Sequence, residues 1–418
     1  MKDLIERDAR VLWHPYTQHG VDRDPLPVVA AEGARLRLAD GRELIDGISS
    51  WWATLHGHGT PELIAAMERQ ARTLDHVLFA GATHEPAVRF AEELLAVAPA
   101  GLARVFYSDD GSTAVEVALK LAYHAHVHAA APERTLFVAL EGGYHGDTFG
   151  AMAVGDPQPF FAPYAPFLFD VVRVPPRADA LVAAIERAGE RLCAVIVEPL
   201  VQGAAGMVTY SADALRAARE ACDRAGAFLI ADEVMTGFGR TGTLFACEQA
   251  HVSPDLLCLA KGITGGMTPL AATLATEALF EAFLAEERGR FFPHGHTFTA
   301  HPIGCAVASA SLALCRANDV PARLSAIGAR IEAGLEELAG DTRVRELRRI
   351  GGIVALELAA DAPGYLSNLA PLLRRRAIEE GVLLRPLGNV LYAMPPACTG
   401  DADCDAIARA LGTLVREL

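Results

Sequence analysis

Four short runs in the middle of the chain, Thr135 to Leu140, Ala194 to Val197, Ala227 to Ala231 and Leu256 to Ala260, are almost wholly apolar and are separated by stretches of helical character. A strand with no polar face has no side to turn to water, so it must be covered above and below. Repeated alternation of such strands with helices is the pattern of an α/β fold, a mostly parallel central sheet with helices on both faces. The helical signals are explicit. Thr60, Pro61 and Glu62 open a segment in which Leu63, Met67, Ala71 and Leu74 follow helical spacing. A second segment starts at Ser112, with Val115, Ala118, Leu119 and Ala122 on one face, and a third runs from an N-cap at Ser211 to a glycine stop at Gly226.

From about Arg316 the chain carries more charge and glycine, for instance over Gly351 to Leu358 and Val382 to Pro386, which points to a smaller α+β domain. The early stretch Val28 to Asp46 alternates like a hairpin around Asp40-Gly41 and is expected to pack with that domain. The expected division is an N-terminal segment (1–56) packed on the small domain, a large domain (57–315) and a small C-terminal domain (316–418). At roughly 150 residues per domain the length accommodates two or three such units.

With 37 Lys and Arg against 52 Asp and Glu, the net charge is −15, which repels phosphate backbones and anionic lipid, so neither nucleic acid nor a membrane is an expected partner. The longest run of apolar and small residues, Ile303 to Cys315, is shorter than the ~20 residues a span requires. The amino terminus, MKDLIERDARVLW, has no apolar signal core, and the expected compartment is the cytoplasm. Eight scattered cysteines form no C-x-x-C pair and read as buried free thiols.

Two of the apolar runs end in chemistry. One leads into Asp232 and Glu233, the other into Lys261, Gly262 and the pair Gly265-Gly266. Ligands of open parallel sheets collect at the carboxyl ends of the strands, so an acid and an amine would share one crevice, where burial lowers the lysine toward nucleophilic competence. An Asp–Lys ion pair bracing two strand ends is the plainer alternative. The turn Ser108-Asp109-Asp110-Gly111-Ser112-Thr113 precedes a helix and offers backbone N–H groups to a phosphate, although a simple helix cap would look the same. Its two aspartates must face outward or cap the helix. Together, a phosphate seat, a carboxylate and an amine describe a holder for pyridoxal 5'-phosphate, whose ring nitrogen needs an acid and whose aldehyde needs a lysine.

The stretches GYHGDTFGAM (from Gly143), VEPLVQGAAGM (from Val197), ADEVMTGFGRTG (from Ala231), LAKGITGG (from Leu259) and HGHTF (from His294) resemble, in order, the class III pyridoxal-phosphate aminotransferases. That resemblance implies a fold type I homodimer with two active sites at the subunit interface. Within the class, WHPYTQ (from Trp13), DGISSWWATLHGHG (from Asp46) and LLRPLGNVLYAMPP (from Leu383) resemble the adenosylmethionine–8-amino-7-oxononanoate aminotransferases of biotin synthesis, and Met235 stands where many other ω-aminotransferases carry Gln.

The resemblance implies these roles. Lys261 bonds to the cofactor aldehyde and moves the proton between substrate and cofactor carbons, Asp232 keeps the pyridine nitrogen protonated, and Tyr144 stacks on the ring. Gly111 and Ser112 receive the phosphate, Thr297 reaches it from the other subunit, and His296, where relatives often have Pro, contacts it through its backbone. Arg385 binds the substrate carboxylate, while Tyr16, Trp51, Tyr144, Lys261 and Gly295 contact substrate, with Trp52 as a second apolar wall and Asp147 close by. Core packing is the plainer reading of the aromatic residues. The implied substrates are S-adenosyl-L-methionine and 8-amino-7-oxononanoate, used in a ping-pong reaction. Arg240 is read as holding loop structure, Glu198 as a buried acid paired with an arginine, and His124, His126 and His128 as lacking the carboxylates of a metal site, so no metal is expected. The rivals are a class III enzyme for lysine, ornithine or 4-aminobutyrate and a non-catalytic cofactor-binding protein. A dinucleotide dehydrogenase is weaker, since no G-x-G-x-x-G follows a strand.

Overall fold

All six residues of the strand Leu192–Val197 are buried, as the absence of a polar face requires. It sits inside a seven-stranded sheet whose spatial order is Leu102–Ser108, Ala271–Thr276, Leu256–Leu259, Phe228–Asp232, Leu192–Val197, Leu136–Leu140 and Val171–Val174. The computed structural model describes residues 2–21, 25–359 and 369–418. Neighbouring strands run parallel except Ala271–Thr276, which is antiparallel to both its neighbours. The four apolar runs of the sequence are therefore four adjacent, central strands. Edge strands Leu102–Ser108 and Val171–Val174 carry mixed patterns and complete the sheet.

Helices cover both faces. Gly111–His128 lies against one, its residues Val115, Ala118 and Ala122 sharing a core with Ile196, Ile230 and Cys258. Ala178–Ala188 and Ala212–Ala225 lie against the other, where Leu181, Leu215 and Ala218 meet Val195, Leu229 and Leu257. Alternate residues of one strand thus feed two cores. The third helix ends as the sequence indicates, with Gly226 in the left-handed region at φ 60 and ψ 34.

A third hydrophobic centre is formed by residues from Ile327 onward with the early segment, joined by Val201, Met207 and Met235. The strands Val28–Glu32, Arg35–Leu38 and Glu43–Asp46 form an antiparallel meander, and Glu43–Asp46 also pairs in parallel with Val382–Leu383. Strands Val344–Ile350, Ile353–Leu358 and Val390–Ala393 make a further antiparallel sheet. In that core Ile45, Ile48 and Trp52 pack with Leu356, Leu391 and Leu411. The early chain is thereby fixed to the late chain across more than three hundred residues, and residues from both ends arrive at the carboxyl edge of the large sheet.

Alanine at Gly226 keeps the helix but places a Cβ in the left-handed region, so Gly226→Ala is expected to lower stability by about 1 kcal/mol. A lower denaturation midpoint with unchanged turnover per folded molecule is the outcome to measure.

Candidate active site

The parallel register that pairs Ile230 with Leu256 and Asp232 with Cys258 carries both strands to the same edge of the sheet. Asp232 ends one strand and Lys261 follows the other, and both line a cavity of ≈ 700 Å³. Asp232 is buried. Its Oδ2 accepts a hydrogen bond from His145 Nδ1 at 2.7 Å and its Oδ1 accepts the Val234 N–H at 3.1 Å. Burial by itself would depress the His145 pKa, but the hydrogen bond and charge of Asp232, with the charge of Glu198, raise it above its ordinary value. Lys261 is shifted the other way: withdrawal from water lowers its pKa despite the opposing charges of Asp232 and Glu198. Its Nζ lies 4.9 Å from the centre of the Trp52 ring.

The opposite end of this cavity is the N-terminus of the 18-residue helix Gly111–His128. Asp110 caps it, accepting the Thr113 N–H at 2.9 Å while Thr113 Oγ1 accepts the Asp110 N–H at 3.1 Å. Asp109 Oδ2 lies 2.9 Å from His296 Nδ1. The first-turn N–H groups of Gly111 and Ser112 have no partner within the helix and border the cavity, a favourable place for an anion. Space there is tight. A methyl on Gly111 would come within 2.6 Å of Val234 Cγ1, and one on Gly146, at φ 121, within 2.3 Å of Ser112 Cβ. Ser112 Oγ accepts the Thr148 N–H at 2.9 Å, which ties the helix start to the Gly143–Thr148 loop.

A smaller cavity of ≈ 330 Å³ adjoins the first, and Trp52, Tyr144, Asp147 and Lys261 border both. Its outer wall is Tyr16, Trp51, Phe160 and Arg385. Asp147 Oδ1 accepts hydrogen bonds from the hydroxyls of Tyr16 at 2.6 Å and Tyr144 at 3.0 Å. Burial, the Tyr16 hydroxyl and the Asp147 charge all push the Tyr144 pKa up, so its hydroxyl stays protonated and able to donate. The Arg385 guanidinium lies over the Trp51 ring, 4.3 Å from its centre.

The description "Aminotransferase class-III" matches residues 16–415 of the chain. The adenosylmethionine-8-amino-7-oxononanoate aminotransferase of Synechococcus elongatus is 47% identical, over 97% of this chain and 99% of that protein. The chain belongs to the class-III aminotransferases. The enzyme of the same name from Nitratidesulfovibrio vulgaris is 42% identical to this aminotransferase, over 97% of this chain and 80% of its own length. Among solved structures, the adenosylmethionine-8-amino-7-oxononanoate aminotransferase of Methanocaldococcus jannaschii superposes with a TM-score of 0.96 at 34% identity, covering 100% of this chain and 99% of its own. A PLP-bound amine transaminase from an uncultivated Pseudomonas species gives 0.92 at 31% identity, covering 97% and 98%.

Of the residues the sequence singles out, this aminotransferase gathers Gly111, Ser112, Tyr144, Asp232 and Lys261 around the larger cavity and Tyr16, Trp51, Tyr144, Lys261 and Arg385 around the smaller. Gly295, His296 and Thr297 line neither. Thr297 is exposed, and His296 makes its polar contacts with Asp109, His294 and Thr299. Arg240 does hold loops: fully buried, it donates to the carbonyls of Trp52, Thr54 and Pro395. The pairing expected for Glu198 is corrected. Among the described residues its partners are the N–H groups of Tyr144 at 3.1 Å and Gly203 at 3.0 Å, with no arginine, because a backbone N–H already meets each of its carboxylate oxygens. His126 Nε2 donates to the Cys193 carbonyl at 2.9 Å, and His124 and His128 pack on Phe283. His145 and Thr148 were missed by sequence reasoning, although His145 stands inside the GYHG motif.

Burial raises Glu198 to about 7 from an ordinary 4.5, with the Asp232 charge adding to the shift and His145 opposing it. A carboxyl harder to ionise in the folded state contributes stability that is whole below the unfolded pKa and is lost as pH rises through the folded one. Between about pH 4.5 and about pH 7, the thermal stability of the cofactor-free protein should therefore fall less steeply in Glu198→Gln than in the wild type. Equal slopes would contradict the assignment.

Proposed function

We propose that this aminotransferase carries the amino group of S-adenosyl-L-methionine to 8-amino-7-oxononanoate, forming 7,8-diaminononanoate in biotin biosynthesis, with pyridoxal 5'-phosphate as cofactor. The observation that carries the reading is the position of Lys261 where the two cavities join. An amine at that point faces an anion seat and a carboxylate on one side, and an aromatic-walled pocket ending in a guanidinium on the other. The names of relatives up to 47% identical agree with it.

The residues of the larger cavity fit pyridoxal phosphate. Its glycine-lined helix start matches a phosphate, and a carboxylate already backed by an imidazole matches a protonated ring nitrogen. When bound, the cofactor supplies an aldehyde that takes up the amino group and a conjugated ring that delocalises the charge left on the substrate carbon. The Gly111 and Ser112 N–H groups would hold the phosphate, and in a homodimer Thr297 of the partner subunit, with the His296 backbone, would complete the seat. Asp232 would hold the proton on the ring nitrogen, with His145, whose pKa that carboxylate raises, hydrogen-bonded behind it. Tyr144 covers the ring and, with Asp147 and Tyr16, orients the incoming amine. Lys261 Nζ, its pKa lowered by burial, would be the group that accepts and returns the substrate proton beside the bound cofactor.

Arg385 takes the carboxylate of the substrate in a two-pronged contact, while Trp51 and Trp52 border its chain. We keep the division into 1–56, 57–315 and 316–418, with the large sheet in 57–315, although the packing crosses it: Leu55, Val320 and Leu324 join the core of the large sheet, and Val201, Met207 and Met235 join that of the small domain. We assign the enzyme to the cytoplasm. No helix among the described residues is long and apolar enough to cross a membrane.

Two half-reactions through one pocket predict parallel double-reciprocal lines when both substrates are varied, and intersecting lines would reject the scheme. Lys261→Ala should still bind the cofactor yet lose turnover by at least about a thousandfold, as expected for loss of a group that acts as both acid and base. Supplying the oxo acid with S-adenosylmethionine, lysine or ornithine in turn, and identifying the diamine formed, decides the donor. Formation with lysine alone would overturn the donor assignment.

A further inference from the structure

Ser49, Ser50, Trp51 and Trp52 have φ of 50, 44, 70 and 73, four successive non-glycine residues in the left-handed region. An L-residue avoids that region because its Cβ crowds the carbonyl oxygen, so a run of four persists where the surroundings over-determine it. Those surroundings centre on Asp46, which is fully buried. Its Oδ1 accepts the Ser50 N–H at 2.9 Å, and its Oδ2 accepts Ser50 Oγ at 2.7 Å and His58 Nε2 at 2.8 Å. Ser49 Oγ donates to the Met394 carbonyl at 2.7 Å, fastening the other end of the turn.

The turn delivers two consecutive tryptophans to the same cavity wall. Trp52 is anchored on its own account, its Nε1 donating to Tyr392 at 2.9 Å and its carbonyl accepting from Arg240. Trp51 is 38% exposed, and its ring contacts are with Tyr16, edge-on at 5.7 Å, and the Arg385 guanidinium. Its position therefore follows from the backbone that Asp46 and Ser50 constrain. A guanidinium lying on an indole takes its direction from that indole.

We propose that Asp46, with Ser50 and His58, is a positioning group that fixes Trp51 and through it Arg385, and so sets the chain length of carboxylate acceptor that reaches Lys261. This rests on the reading of Arg385 as the carboxylate-binding residue. Asp46 does not touch substrate; it acts through the turn.

The test compares 8-amino-7-oxononanoate with amino-oxo acids one methylene shorter and longer, in holoenzyme, for the wild type, Asp46→Asn, Ser50→Ala and Arg385→Gln. The wild type should prefer the natural length by about tenfold or more in kcat/KM, the usual worth of one methylene in a shaped pocket. Asp46→Asn and Ser50→Ala should compress that preference to within about threefold, through KM rather than kcat. Ser50→Ala decides the matter if Asp46→Asn does not fold. A uniform fall across the three acceptors, an unchanged preference in the variants, or a wild type without preference would overturn the proposal. If Arg385→Gln keeps the wild-type preference, the carboxylate reading itself fails. If Arg385→Gln loses it while both turn variants keep it, the positioning role alone fails.

Discussion

A carboxylate and an amine withdrawn from water at adjacent strand ends set the terms for the rest of the molecule. Isolated buried charges are costly, and each acid at this edge meets that cost differently. Asp232 has an imidazole, His145, and a backbone N–H. Glu198 has two backbone N–H groups, Glu233 has the N–H groups of Ala246 and Cys247 with the Thr236 hydroxyl, and burial pushes both up to about 7. Neutral donors offset less of the desolvation than a cation does. The chemistry assigned to Asp232 thus falls to the one acid of the three whose direct partner can carry a positive charge.

The large sheet and its helices supply most of the larger cavity, and the chain outside them supplies much of the wall of the smaller one. Asp232, Lys261, Gly111 and Tyr144 stand on or directly after elements of that sheet and its helices. Tyr16, Trp51 and Arg385 come from the early segment and the late domain, held together by pairing of Glu43–Asp46 with Val382–Leu383. An amine transaminase sharing this fold at a TM-score of 0.92 is consistent with that separation, since a common scaffold can host different substrates when the residues outside it change.

Much of this was legible in the residues. The apolar runs marked four central strands because a strand buried on both faces admits few polar residues, and Asp232 and Lys261 stood out because they end such runs. The glycine at 226 and the cap before Thr113 were readable for the same local reason, a backbone geometry that few residues satisfy. The strand Ala271–Thr276, by contrast, was not read. Nor was its insertion between Leu102–Ser108 and Leu256–Leu259, because its pairing with the first of these joins residues more than a hundred positions apart and leaves no local trace.

The sequence by itself determined the kind of fold, the family resemblance and the pair of groups that meet at the sheet edge, all properties of local pattern. The tertiary structure alone decided that His145 backs Asp232, that backbone N–H groups meet Glu198, and that Asp46 holds a left-handed turn beneath Trp51. Each of these is a contact between distant segments, or a backbone state stable only because of such contacts. Local preference would have assigned Ser49 to Trp52 an ordinary right-handed or extended path; a buried carboxylate overrides it.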